Sequence, residues 1–248
     1  MLTVAYDGSN YNGWQIQPEV KTIEGILNEE LARLLKEDIK VIGASRTDSG
    51  VHAEGAIAVF DTESRIPGEK FSYALNVSLP DDIVIRKSQE VPADFHPRKT
   101  EARKTYRYTI WHDNFPLPTM SRYSHNIYGR LDIDAMNEAA KALLGEHDFA
   151  AFCAAGNQSE TTVRTIYDIS VQRAEDSRRI DIFVKGNGFL YNMVRIIAGT
   201  LIEVGQGKLA ACEMDRIIAS KDRKLAGNTA PAKGLTLMKY EFPEIGYK

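Results

Sequence analysis

Cysteine is scarce in this 248-residue sequence, which contains only Cys153 and Cys212. Two cysteines cannot form a four-cysteine metal site, and no zinc-ligand spacing surrounds them. We therefore expect small buried thiols in a reducing compartment. The sequence also shows no secretory leader and no run approaching the roughly 20 apolar residues of a membrane span. These absences predict a cytoplasmic protein with no membrane segment.

The remaining composition has no bias that would indicate a disordered or fibrous protein. Apolar residues make up 43% and charged residues 26%, which is typical of globular domains. The length predicts one large or two ordinary domains. The net charge of −3 argues against a protein that coats nucleic acid non-specifically, but it permits a local basic groove. No phosphate-binding loop is present, and His147-Asp148 has no partner ligands at metal-site spacing.

Hydrophobic periodicity predicts two successive units, each with helices set against a mainly antiparallel sheet, which is the α+β class. Strands are predicted at 2–6, 39–42, 56–60, 83–85, 106–111, 163–171, 180–184 and 235–241. Helices are predicted at 22–37, 69–77, 134–144, 188–204 and 209–219. A basic stretch near residue 100 gives the boundary between the two predicted domains, 1–103 and 104–248.

The predicted loop at 43–55 carries a candidate catalytic carboxylate, Asp48, within Ser45-Arg46-Thr47-Asp48-Ser49-Gly50-Val51-His52. A carboxylate displayed on a loop of a rigid scaffold can act as a nucleophile or a base. Arg46 could keep it ionised or bind a phosphate, and Gly50 would let a substrate approach closely. Asp-Ser-Gly is equally a common turn sequence, and the residue types alone favour that simpler interpretation.

A second candidate is the basic stretch at 98–108, which holds five positive charges and one negative charge. Strand alternation would place Lys104, Tyr106 and Tyr108 on one face and Arg103 and Arg107 on the other. Cations interleaved with aromatic rings suit RNA, because phosphates meet the cations and unstacked bases meet the rings. A solvated edge strand protected by lysine explains the pattern equally well.

The third candidate is Arg195, the one charged residue between Lys185 and Glu203. At 100° per residue, Arg195 points away from an apolar stripe on the predicted helix and lies beside Tyr191, Asn192 and Gly199. The stripe consists of Phe189, Leu190, Met193, Val194, Ile197 and Leu201. The pattern fits an arginine that faces a cleft and equally fits an ordinary exposed arginine.

Taken together, these segments resemble the tRNA pseudouridine synthase A (TruA) family over nearly the whole chain. The segment Arg46-Thr47-Asp48-x-Gly50-Val51-His52, followed in order by Met193-Val194-Arg195, is highly specific. Ser45, where glycine is expected, and Glu24, where glutamine is commoner, depart from the family pattern. The other shared residues are Tyr6-Asp7-Gly8, Tyr11, Gly13-Trp14-Gln15, Gly25, Ala53, Asp94-Phe95-His96, Arg98, Lys104-Thr105-Tyr106-Arg107-Tyr108, His147-Asp148-Phe149, Phe152, Gly188-Phe189-Leu190, Gly199, Ala230-Pro231-Ala232 and Gly234-Leu235.

The resemblance implies an isomerase that converts uridine to pseudouridine at positions 38, 39 and 40 of the tRNA anticodon stem-loop, with no cofactor and no metal. Asp48 would start cleavage of the N-glycosidic bond, Arg195 would keep Asp48 ionised, and Tyr106 would stack on the uracil. The substrate contacts that it implies are Arg46, Thr47, Ser49, Gly50, His52, Arg98, Arg103, Lys104 and Arg107.

The resemblance also implies an architecture. Two similar α/β sandwich-like domains would join their mainly antiparallel sheets into one extended sheet, with helices on one side and the active cleft between the domains. The family forms homodimers, and one tRNA contacts both subunits. Two other functions remain open at this point: a non-catalytic RNA-binding module that uses the basic strand, and a hydrolase that uses Ser49 and His52.

Overall fold

A computed structural model describes residues 1–175 and 178–243, which divide into two units. The first unit contains Met1–Ala102 together with 236–243, and the second contains Arg103–Leu235. The strand Leu235–Glu241, near the end of the described residues, therefore lies in the first unit from Thr236 onward. The predicted domains, 1–103 and 104–248, stay a prediction, and residues 244–248 of the second lie outside the described residues.

The described residues form ten strands and five α-helices, which confirms the α+β class. The helices are α1 Ile23–Leu35, α2 Phe71–Asn76, α3 Ile133–Lys141, α4 Met193–Gly205 and α5 Glu213–Ser220. The strands are β1 Leu2–Tyr6, β2 Ile42–Gly43, β3 His52–Val59, β4 Ile83–Ser88, β5 Arg103–His112, β6 His125–Ile127, β7 Gly145–Asp148, β8 Val163–Arg173, β9 Arg179–Gly186 and β10 Leu235–Glu241.

In the first unit the strand order is β4-β1-β3-β10, and β2 pairs with β3. The pairs within β4-β1-β3 are antiparallel, whereas β10 runs parallel to β3, with Thr236 opposite His52. Helix α1 begins where the sequence predicts, because Thr22 accepts a hydrogen bond from the Gly25 amide at 3.3 Å as its N-cap. Its apolar face buries Ile23, Leu27 and Leu31.

In the second unit the strand order is β5-β9-β8-β7, all antiparallel, and β6 pairs in parallel with β5. Helix α3 packs against α4 and β8, and α4 packs against β5. Alternate residues of β9, Ile180, Ile182 and Val184, are buried. The basic-aromatic strand predicted from the sequence pairs with β9 along residues 104–111, whereas β6 covers its other side only at Ile110–His112.

Several predicted boundaries are wrong. The strand predicted at 56–60 begins at His52, so four residues assigned to the loop belong to β3. The short strands β6 and β7 were not predicted, and the strand predicted at 39–42 covers only Ile42–Gly43. The helix predicted at 188–204 begins at Met193, because Asn192 has left-handed backbone angles, φ 60° and ψ 7°, that a right-handed helix cannot include.

The two cysteines are free, as the sequence predicts, but the prediction that both are buried is wrong. Cys212 is exposed and Cys153 is partly exposed. Partial burial still raises the pKa of the Cys153 thiol above its usual range, against the smaller opposing effect of the Arg164 charge. No helix within 1–175 and 178–243 has the length and apolarity needed to cross a membrane.

Candidate active site

Thr47 anchors the loop that carries Asp48. Its side chain is only 8% exposed, its Oγ1 lies 2.8 Å from the Tyr6 hydroxyl, and its carbonyl accepts a hydrogen bond from the Trp14 amide at 3.1 Å. The residues on either side of this buried anchor are accessible: Arg46 is exposed and Asp48 is half-buried. The contacts of Thr47 therefore fix the backbone next to Asp48, which is itself only partly exposed.

Asp48 opens a tight turn, as the residue types suggest. The Val51 amide donates to the Asp48 carbonyl at 3.1 Å, and Gly50 has a φ of 77°, which favours glycine at this position of a turn. The turn interpretation and the catalytic interpretation are thus compatible, because the turn uses the backbone of Asp48 and leaves its carboxylate for other contacts.

Two glycines of the first unit allow the chain at 8–14 to lie directly against this loop. A Cβ on Gly8 would lie 2.0 Å from the Val51 carbonyl oxygen, and a Cβ on Gly13 would lie 2.4 Å from the Thr47 carbonyl oxygen. Real Cβ atoms essentially never approach so closely. Both glycines belong to segments that the sequence shares with the tRNA pseudouridine synthase A family, and the structure gives the physical reason for them.

Ser49 and His52 do not form a hydrolase pair. The Ser49 hydroxyl donates to the Tyr11 carbonyl at 3.2 Å, and this is its one hydrogen-bond partner in the part of the chain that the structure describes. His52 is 4% exposed, and its Nδ1 lies 3.1 Å from both the Gly8 amide and an Asp7 carboxylate oxygen. Because a serine nucleophile needs a base within hydrogen-bond distance, the geometry argues against this alternative.

Arg98 and the two departures from the family pattern have structural partners in the first unit. The Arg98 Nε donates to the Gly43 carbonyl at 2.8 Å, just before the Asp48 loop. The Ser45 hydroxyl is hydrogen-bonded to the Tyr240 hydroxyl, so it ties the start of the loop to β10. One carboxylate oxygen of Glu24 accepts from the Ile16 amide at 2.9 Å, a bond that a glutamine carbonyl could equally form.

Tyr106 lies on β5 in the second unit, is 7% exposed and meets the ring of Phe189 edge-on, with 5.3 Å between ring centroids. Phe189 itself is partly exposed and precedes α4. The predicted stripe treated Phe189 as a helical core residue, so the sequence analysis missed its contact with Tyr106. The shared segment Gly188-Phe189-Leu190 is the signal that could have indicated it.

The cations of β5 have different surroundings. The Arg103 guanidinium lies 4.9 Å from the ring centroid of Tyr167, which the sequence analysis did not single out. Arg107 and Lys104 are both partly exposed. Burial lowers the pKa of Lys104 to about 8, and the positive charge of Arg164 lowers it further in the same direction. Lys104 can therefore change its charge near neutral pH, unlike an ordinary lysine.

Arg195 lies in the first turn of α4, and atoms of the second unit hold two of its nitrogens. Its Nε donates to the Ala230 carbonyl at 2.8 Å, and one terminal nitrogen donates to the Asn192 side-chain oxygen at 2.6 Å. The Ala230 amide in turn donates to the Arg195 carbonyl at 3.1 Å. Arg195 is thus an oriented side chain, and the interpretation as a freely exposed arginine is wrong.

The segment that carries Ala230 is itself fixed to α4 and β5. A Cβ on Gly199 would lie 1.7 Å from the Asn228 carbonyl oxygen, so helix and segment are in direct backbone contact. The Gly227 amide donates to the Thr200 hydroxyl at 2.9 Å. Directly after Ala230, the Pro231 carbonyl accepts a hydrogen bond from the hydroxyl of the fully buried Tyr108 at 3.0 Å.

The predicted site residues therefore fall into two groups. The first unit holds Arg46, Thr47, Asp48, Ser49, Gly50, His52 and Arg98, and the second holds Arg103, Lys104, Tyr106, Arg107 and Arg195. That Asp48 lies next to Tyr106 and Arg195 stays a prediction. Among the described residues, no group of three or more His, Cys, Asp or Glu side chains could hold a metal ion.

Comparison with known proteins covers nearly the whole chain. A family model described as "tRNA pseudouridine synthase" matches residues 2–98 and 139–243. The tRNA pseudouridine synthase A of Ruminiclostridium cellulolyticum is 53% identical over 237 residues, which are 96% of each chain. That of Acetivibrio thermocellus is 50% identical over 96% of each chain. That of Brevibacillus brevis is 50% identical over 94% of this chain and 95% of its own.

Proposed function

The chain belongs to the tRNA pseudouridine synthase A family, and on this premise we propose which atoms perform the isomerisation and where on the tRNA it occurs. The protein is a tRNA pseudouridine synthase, an isomerase whose substrate is tRNA. The proposed targets are the uridines at positions 38, 39 and 40 of the anticodon stem-loop. The observation that supports the proposal is the anchored loop: Thr47 is buried and bonded twice, so the backbone that carries Asp48 is held in place.

Asp48 is the proposed catalytic residue. Its carboxylate starts cleavage of the bond between uracil N1 and ribose C1′. The freed uracil turns, C5 joins C1′, and the hydrogen on C5 is lost while N1 gains one. Atoms and electrons are conserved, so the product is an isomer and no redox partner or phosphate donor takes part. A carboxylate acts as a nucleophile or a base only while it is ionised, so a positive charge next to Asp48 would favour the reaction.

Arg195 and Tyr106 complete the proposed site. A guanidinium next to Asp48 favours the ionised carboxylate and holds its pKa down by direct attraction. Tyr106 stacks on the target uracil, and its edge-on contact with Phe189 holds the ring in place. Arg46 binds the phosphate of the nucleotide, which must leave the base stack before chemistry on its base can occur.

The wider architecture is part of the same proposal. The domains 1–103 and 104–248 are similar α/β sandwich-like units whose sheets join into one extended sheet, with helices on one side and the active cleft between them. The enzyme works as a homodimer in the cytoplasm, and one tRNA contacts both subunits. The remaining contacts with tRNA come from Thr47, Ser49, Gly50, His52, Arg98, Arg103, Lys104 and Arg107. Neither a cofactor nor a metal is needed.

Asp48→Asn tests the central assignment. The substitution keeps the size and the turn but removes the charge, so we expect loss of pseudouridine formation with tRNA affinity retained. Turnover is followed by tritium release from tRNA labelled at uridine C5, and affinity by filter binding at fixed salt. Turnover at the wild-type rate in Asp48→Asn would remove Asp48 from the mechanism and favour a non-catalytic role for this loop.

Ser49→Ala provides the neighbouring control. A hydrolase that used Ser49 would lose all activity with this substitution, because the hydroxyl would be the nucleophile. Under the proposed mechanism the variant still forms pseudouridine, at most with weaker tRNA binding, because the hydroxyl donates to the Tyr11 carbonyl and takes no part in the chemistry. Complete loss of turnover in Ser49→Ala, with an intact fold by circular dichroism, would contradict the assignment of Asp48 as the initiating group.

A further inference from the structure

Asn192 occupies an unusual place in the second unit, directly before α4. Its backbone is left-handed, with φ 60° and ψ 7°. Few residues other than glycine adopt this conformation, and asparagine is among those that tolerate it best. The conformation turns the chain sharply between Leu190 and Met193. It therefore sets the direction in which the Asn192 side chain leaves the backbone.

The side chain of Asn192 does not do what asparagine usually does at the start of a helix. An asparagine at this N-cap position ordinarily accepts a hydrogen bond from a backbone amide of the first turn, which stabilises the helix. Asn192 makes no such bond. Its oxygen instead accepts from a terminal nitrogen of Arg195 at 2.6 Å. Helix α4 therefore lacks the usual N-cap hydrogen bond, and the Asn192 side chain bonds to Arg195 instead.

A second contact fixes the same guanidinium from another side. The Arg195 Nε donates to the Ala230 carbonyl at 2.8 Å, and the neighbouring Pro231 carbonyl is held by Tyr108. A planar guanidinium that is bonded at Nε and at one terminal nitrogen has its orientation set by two points. We call the Asn192 side-chain oxygen and the Ala230 carbonyl the Arg195 clamp.

We propose that Asn192 is a positioning residue for the isomerisation, which orients the Arg195 guanidinium through the Arg195 clamp. This inference rests on the proposed function of Arg195. Asn192 itself need not touch the substrate. It holds the Arg195 side chain, which has several rotatable bonds, in one geometry before tRNA binds. Less conformational entropy of Arg195 is then lost on reaching the transition state.

Asn192→Gly is the decisive variant, because glycine adopts the left-handed conformation without strain and removes only the side chain. The bond lost is one to a charged donor, so kcat should fall by roughly ten- to a hundredfold while KM for tRNA stays the same. Asn192→Ala, which adds backbone strain, should show the same loss of kcat together with a lower Tm. Lys36→Gly is the matched control, since Lys36 is also left-handed at φ 60°, lies at the end of α1 and is not among the proposed site residues.

The combination with Arg195→Ala separates positioning from a general structural effect. If Asn192 acts only through Arg195, adding Asn192→Gly to Arg195→Ala produces no further fall in kcat. Additive losses in the double variant would overturn the inference, and so would wild-type kcat in Asn192→Gly. If the proposed role of Arg195 is itself wrong, the result is different, because Arg195→Ala alone would then keep wild-type turnover.

Discussion

Gly8→Ala should strongly slow the enzyme although Gly8 itself is not among the proposed tRNA contacts. Gly8 has an ordinary negative φ, so alanine adds no backbone strain there. The added Cβ would lie 2.0 Å from the Val51 carbonyl oxygen, whereas real Cβ contacts essentially never fall below 3.0 Å. Either Gly8 or the segment after Asp48 must therefore move by at least 1 Å. Both lie in backbone that is hydrogen-bonded on several sides.

The size of the effect follows from that displacement. A misplacement of about 1 Å in a catalytic geometry can reduce the rate by about 10²-fold. The same overlap should lower the free energy of unfolding by about 1–3 kcal/mol, the usual cost of overpacking. Since a folded domain is stable by about 5–15 kcal/mol, Gly8→Ala should remain folded. We therefore expect a folded protein with a hundredfold lower single-turnover rate.

The control is Gly129→Ala, which separates stability from geometry. Gly129 has a φ of 79°, and apart from its chain neighbours no atom of the described residues lies within 4 Å of its Cβ position, so alanine there adds only backbone strain of about 1–2 kcal/mol. Urea unfolding should show similar losses for both variants, but only Gly8→Ala should lose tritium release from tRNA labelled at uridine C5. Equal single-turnover rates in the two variants would refute the reasoning that Gly8 positions the Asp48 loop.

Two further predictions concern the basic-aromatic strand. Tyr106→Phe should keep tRNA affinity, while Tyr106→Ala should weaken it by about 1–3 kcal/mol through lost stacking; equal Kd values for the two variants would remove the stacking role. Lys104, whose pKa is lowered to about 8 by burial and by Arg164, loses its charge as the pH rises from 7 to 9. The Kd for tRNA should therefore increase over this pH interval in the wild type. It should not increase in Lys104→Arg, because the guanidinium stays protonated. A wild-type Kd that does not change with pH would argue against a contact between Lys104 and phosphate.

Local patterns predicted the start of α1 and the strand β1, because the signals lie within a few residues of each other. Thr22 caps α1 with its own side chain, and the apolar residues that follow lie on one face. The start of α4 could not be predicted in this way. Leu190 and Met193 share an apolar helical period, but the left-handed backbone of Asn192 separates them. Asparagine tolerates that conformation better than most residues, but it is also common at helix N-caps, so the residue type alone does not place the break at 192.

The candidate site shows a similar division. Asp48 is singled out by the sequence, and its place in a turn follows from Ser49 and Gly50. The chain that packs against this turn includes Gly8, which meets Val51, and Gly13, which meets Thr47; both glycines lie far earlier in the sequence. Single-sequence patterns do not report contacts at such a separation. The resemblance to a family carried these residues into the sequence analysis, and the structure supplied their physical role.

The pairing of β10 with β3 has a consequence for how the protein is made. Strand β3 follows the Asp48 loop directly, and its parallel partner is synthesised only after all of 103–235. Tyr240, which is bonded to Ser45 at the start of that loop, also arrives at this late stage. During synthesis the start of β3, at His52 and Ala53, must therefore remain without its β10 partners while the second unit emerges. The Asp48 loop therefore gains its bond to Tyr240 only after β10 has been synthesised, and a chain that stops before β10 lacks this contact.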